Sequence, residues 1–228
     1  MPNQSLLSAS LFRAASAGSL DDIRSLLAKG ADPSASGSQA LCLAAERGRV
    51  DGLRLLIPRS NPQVANCLPL RLAAERGHAE CVQELLPHST EKGAHAALML
   101  AAGGGYAECV KLLLGACDAR KDQSAALLWA ANNGRADCVS ILLPASDPLA
   151  HGGVALRQAV RNGHANVASV MLDHGAGYED CHSLSSLLDT ANSSGRREVA
   201  AVLAAHIERL ALAGSLPASV VQASQPRL

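Results

Sequence analysis

The residues of this chain that could hold a metal, form disulfides or serve as nucleophile and base are its cysteines and histidines. The most regular are Cys81, Cys109 and Cys138, each four residues after a glycine: Gly77, Gly105 and Gly134. The same offset from later glycines holds Val167 and Val199, so these thiols read as small buried hydrophobes in a column. Adjacent helices pack about 8–10 Å apart, whereas a disulfide needs Cα atoms within about 7 Å. Cys42, Cys67, Cys117 and Cys181 share no such position and form no C-x-x-C pair. His88, Glu91 and His95 read as polar residues of a loop with no metal-ligand spacing. Asp180, Cys181 and His182 also read as loop, without a third group to orient a base. Gly103, Gly104 and Gly105 end a helix and do not form a strand-to-helix phosphate loop. The expectation is no catalytic residue, no metal and no cofactor.

The elements that carry these residues emerge from one spacing. Gly18, Gly48, Gly77, Gly105, Gly134, Gly163 and Gly195 lie 30, 29, 28, 29, 29 and 32 residues apart. Four residues before each stands an alanine, Ala14 through Ala191, and seven before each a leucine, Leu11 through Leu188. Five and eight residues after the glycine come further apolar positions, such as Val82 and Leu85 or Val139 and Leu142. Offsets of three and four mark one helix face. Each unit is therefore expected to be helix, glycine turn, helix, with neighbours sharing a continuous core. Pro58, Pro87 and Pro144 follow second helices and stop them.

The runs "LAAERGH" and "AECV" around Gly77, "AAGGGYAECVKLLLGA" around Gly105 and "LLAKGADPS" from Leu26 resemble the ankyrin family. The resemblance spans about residues 8 to 213. It implies an all-α, ankyrin-type helical solenoid of about seven helix-turn-helix repeats. The family period is about 33 residues, so most units here are short. The usual T-P-L-H opening keeps only its leucine, with Pro69 the single matching proline. The β-hairpin fingers are therefore expected to shrink to tight loops, with only those after the first and sixth units (Gly175-Ala176 in the latter) nearer full length. Residues 1–7 are expected to be an N-terminal extension and 214–228 a disordered tail. His78 and His164 stand where the family has a histidine that bonds backbone between units; Arg49, Tyr106 and Arg135 replace it elsewhere.

Bulk properties bound the partner. A net charge of +0 over 228 residues gives no electrostatic reason to expect nucleic acid or an acidic membrane. No stretch reaches the roughly 20 apolar residues that span a bilayer, and the run from Ser5 to Phe12 lacks a basic segment before it. An odd, scattered set of cysteines points to a reducing, cytoplasmic setting; export without a cleavable signal would look the same. With 2% aromatic and 48% hydrophobic residues, the core must be built from Leu, Ala, Val and Ile. Only 18% of residues are charged, which leaves apolar surface for a partner.

The family resemblance implies a non-enzymatic module that binds another protein, as a monomer, on a concave face lined by first helices. Carried over by register, that face holds Leu43, Leu72, Leu100 and Trp129, five residues before their glycines. Flanking them just before the glycines come Glu46, Arg47, Glu75, Arg76, Gly103, Gly104, Asn132, Asn133, Arg161 and Asn162. The leucines could be exposed, or could close the gap between neighbouring units. Trp129, whose register elsewhere holds Arg13, Gln158 and Thr190, is expected to be exposed. Gly103 and Gly104 could admit a partner closely or simply be tolerated. The compact units resemble bacterial ankyrin proteins, so a secreted effector or a toxin-neutralising protein is the alternative; a small enzyme or a self-associating scaffold would be further ones.

Overall fold

Alanine and leucine at fixed distances from a glycine leave each unit one way to bury its apolar stripe, which is two short helices back to back. The computed structural model describes residues 4–174 and 181–212, and the backbone alone for residues 122–123, 151–152 and 181–183. The described residues form helices and no strands.

The chain divides into two units, Met1–Asp118 and Ala119–Leu228. The first holds α1 (Gln4–Ala17), α2 (Leu20–Ala28), α3 (Ala35–Glu46), α4 (Val50–Leu56), α5 (Val64–Glu75), α6 (Ala79–Leu85), α7 (Glu91–Gly104) and α8 (Ala107–Leu114). The second holds α9 (Lys121–Asn132), α10 (Ala136–Leu142), α11 (Ala150–Asn162), α12 (Ala165–Asp173), α13 (Cys181–Ser193) and α14 (Arg197–Leu212). In the first unit α1, α3, α5 and α7 form one layer and α2, α4, α6 and α8 another. In the second unit α9, α11 and α13 form one layer, and α10, α12 and α14 the other. Leu41, Leu70, Leu98, Leu127 and Leu156 are fully or almost fully buried, as are Leu56, Leu85, Leu113 and Leu142 from the second helices. Each such leucine contributes about 1.5–3 kcal/mol by leaving water.

The glycine turn explains the alanine before it. Gly77 has φ +75°, a left-handed value that closes a helix at low cost only for glycine. Its own N–H reaches the Ala74 carbonyl at 3.3 Å and the next N–H, of His78, reaches that of Ala73 at 2.9 Å. This double bond pattern recurs at Gly48 and Gly134. It satisfies carbonyls that a helix end would otherwise strand.

Two features depart from the sequence reading. First, α1 begins at Gln4, so residues 4–7 of the expected extension are helical. The expected tail, 214–228, and the Gly175-Ala176 loop lie outside the described residues. Second, the shortened fingers are replaced by a turn of opposite hand. Ser36, Gly37 and Ser38 have φ of 52°, 66° and 59°, and Ala65, Asn66 and Cys67 of 46°, 59° and 57°. Ser124 and Gly153 begin their helices in the same way, at φ 61° and 74°. Prolines 58, 87 and 144 sit inside single 3-10 turns, Ile57–Arg59, Leu86–His88 and Leu143–Ala145, that extend the second helices before the chain turns.

The left-handed turns are tied down by a side chain ten residues before each glycine. Ser38 Oγ accepts the Asn61 N–H at 2.8 Å, Cys67 Sγ that of Thr90 at 3.3 Å, and Ser124 Oγ that of Asp147 at 2.7 Å. Cys67 therefore does share a repeat position, with Ser38 and Ser124, contrary to the reading above. α7 enters differently: Thr90 caps it by accepting the Gly93 N–H at 3.1 Å.

Candidate functional site

The register positions expected to meet a partner lie at the C-terminal ends of the first helices, and the structure divides them into three kinds. Leu43, Leu72 and Leu100 are half-buried on α3, α5 and α7. Trp129 is different. On α9 it is 48% exposed, although an indole normally hides most of its surface in a fold.

The flanking polar residues are arranged as rungs between successive units. Arg76 Nη2 reaches Glu46 Oε1 at 3.0 Å. Asn162 Nδ2 donates to the Asn132 carbonyl at 2.8 Å and to its side-chain oxygen at 3.1 Å, and Asn132 Nδ2 donates to Asn133 Oδ1 at 3.2 Å. The carbonyl of Glu46 is bonded to His78 Nε2 at 3.0 Å, and that of Asn132 a second time, to His164 Nε2 at 2.9 Å. The expected backbone role of these histidines is thus observed, and Arg49 Nε plays it toward the Ser16 carbonyl at 3.3 Å. Arg47, Glu75 and Arg161 are exposed and carry no ion pair among the described residues.

Gly103 is buried, and a Cβ on Gly104 would collide with the ring of Tyr106, which also covers the turn glycine Gly77. Gly104 is small because an aromatic ring lies against it. The residue after a turn glycine generally covers the previous unit's glycine: Arg49 lies over Gly18, His78 over Gly48 and His164 over Gly134.

The candidate chemical residues are placed for packing. Cys81, Cys109 and Cys138 are buried on α6, α8 and α10. Burial pushes the thiols of Cys42, Cys81 and Cys138 from 9.0 up to about 11, with Glu80 and Glu84 adding to the effect at Cys81 and Asp137 at Cys138. Reactive thiols need the opposite shift. His88, Glu91 and His95 are not a loop: His88 ends a 3-10 turn, Glu91 opens α7, and His95 is buried within it. Cys181 and His182 likewise open α13 and are not loop residues. Among the described residues no three His, Cys, Asp or Glu side chains are grouped to hold a metal ion. No described helix is long and apolar enough to cross a membrane. A cleft of about 400 Å³ between α1 and α2 is lined by Arg13, Asp22, Lys29, two serines and apolar residues, with no histidine or cysteine to act as base or thiol nucleophile.

Against known families, a model described as ankyrin repeats (three copies) matches residues 11–96 and, overlapping them, 70–151. No curated protein matches the chain.

Proposed function

Since this chain belongs to the ankyrin repeat family, whose repeats are generally protein–protein interaction modules and typically not enzymes, we propose that it binds a protein partner on the exposed face of its first helices. The observation that carries this is Trp129. It is the sole tryptophan, it stands 48% exposed on α9, and its register tolerates Gln158 and Thr190 in other repeats. Nothing in the fold requires an indole there. Tryptophan and arginine dominate binding hot spots because they bury much surface for little lost conformational freedom.

Asn132, Asn133, Arg161 and Asn162 supply a polar rim beside it in the second unit. Leu43, Leu72 and Leu100, with Arg47, Glu75 and the paired Glu46 and Arg76, supply the equivalent face in the first. Gly103 and Gly104 leave the set. A reducing compartment belongs to the same proposal, supported by five buried, free thiols.

The test is capture of the partner from native lysate, followed by affinity measurement with the Trp129→Ala variant. A loss of about 2 kcal/mol or more in binding, near thirtyfold in Kd, with thermal stability little changed, is expected. Unchanged affinity together with a large loss of stability would make Trp129 a structural residue and sink the assignment.

A further inference from the structure

Resting on that reading of the first-helix face, we propose that the partner presents an acidic amphipathic segment, with carboxylates alternating with apolar side chains. The observation is a segregation of charge between the two helix layers. In the first unit the second helices α2, α4, α6 and α8 carry the acids Asp21, Asp22, Asp51, Glu80, Glu84 and Glu108 against only Arg24, Arg54 and Lys111. All three of those cations are already held in ion pairs: Arg24 with Asp21, Arg54 with Asp51 and Glu84, and Lys111 with Glu108.

The first-helix layer has the opposite bias. It carries Arg13, Arg47, Arg71, Arg76 and Lys92 against the acids Glu46, Glu75 and Glu91. Glu46 is neutralised by Arg76, while Arg13, Arg47 and the single acid Glu75 are exposed with no ion pair among the described residues. They flank the half-buried Leu43 and Leu72. The second unit repeats the plan with different residues. There the rung equivalent to Glu46–Arg76 is the uncharged pair Asn132–Asn162, so the exposed guanidinium of Arg161 is left without a counter-charge beside it. Trp129 lies about one helical turn before Asn132 on α9, and α11 packs alongside α9. Apolar edge next to an unpaired guanidinium thus occurs in both units, at Leu43 with Arg47 and at Trp129 with Arg161, although Glu75 holds the register of Arg161 in the first.

An unpaired surface cation is cheap in water, and it selects partners by complementarity more than it adds affinity. An acidic amphipathic segment would gain at the first-helix layer and be repelled by the second. A nucleic acid fits less well. Glu75 in the first unit and Asp189 in the second are each exposed on a first helix and oppose a polyphosphate, and the half-buried leucines offer little to a phosphate backbone.

The experiment uses the full chain and three defined probes: a helical Leu/Glu peptide, its Leu/Lys counterpart and oligothymidine. Binding is read by calorimetry and by the emission of Trp129, which as the only tryptophan reports one site. The Leu/Glu peptide is expected to bind at least about tenfold more tightly than the Leu/Lys peptide, to weaken with added salt, and to lose about tenfold with Arg161→Glu or Arg47→Glu. Equal or tighter binding of the Leu/Lys peptide, preference for oligothymidine, or no binding of the Leu/Glu peptide overturns the proposal. Trp129→Ala separates the two readings. If it weakens both peptides alike without a charge preference, the face stands and its acidic partner falls. If charge preference survives Trp129→Ala undiminished and no Arg161→Glu or Arg47→Glu effect is seen, the face itself is wrong.

Discussion

At the scale of the residue, the turn glycines do two jobs, and both can be measured. Gly77 has φ +75° and lies under the Tyr106 ring. Gly77→Ala should therefore cost about 2 kcal/mol or more in urea denaturation, of which left-handed strain supplies about 1–2. In a Tyr106→Ala background the cost should fall to the strain alone. Ala65 is the converse case, an exposed alanine at φ 46°, and Ala65→Gly should stabilise the fold by about 1 kcal/mol. The buried thiols make a pH prediction. Cys42, Cys81 and Cys138 are held near 11 in the fold instead of 9.0. A raised folded value means that the unfolded chain loses its protons first as pH rises. The stability gained from the neutral thiols is whole below pH 9 and is lost between 9 and about 11. Melting temperature should be flat up to pH 9 and then fall, less steeply in Cys81→Ala. The turn glycines were legible from spacing because only one residue type suits that backbone. The reason for Gly104 was not, because it depends on a ring two residues later folding back.

At the scale of the element, the helix pairs were legible and their entrances were not. Leucine at minus seven and alanine at minus four placed α3, α5 and α9 because burial imposes the helical period on sequence. The left-handed turns at Ser36–Ser38 and Ala65–Cys67 carry no such period, and most of their residues are not glycine. Their only trace is the position ten before the glycine, Ser38, Cys67 and Ser124, a signal that three different roles for serine and cysteine would mimic. The bond from that side chain to the next unit's backbone is what closes a repeat without a finger. Ser124→Ala would strand the Asp147 N–H now bonded at 2.7 Å. It should cost about 1–3 kcal/mol, measured by urea denaturation, whereas Ser140→Ala on the exposed side of α10 should change little. Equal small effects from both would show that the turn needs no clamp.

At the scale of the whole molecule, the repeat plan assigns the regular positions to packing and leaves others for the recognition proposed above. Stacking uses the leucines, alanines and cysteines, and the rungs use the backbone carbonyls of Glu46 and Asn132. What the plan does not use is Trp129 and the guanidiniums of Arg13, Arg47 and Arg161. The location proposed for that face follows from register, since equivalent positions in successive repeats face the same way. Its occupant does not, since no repeat rule dictates a residue that stacking leaves idle. The most direct measurement is amide hydrogen exchange on the full chain with and without its captured partner. The account predicts slowed exchange toward the C-terminal ends of α9 and α11, around Trp129 and Arg161, with α10 and α12 unchanged. Slowed exchange confined to α10 and α12, with α9 and α11 unaffected, would contradict it.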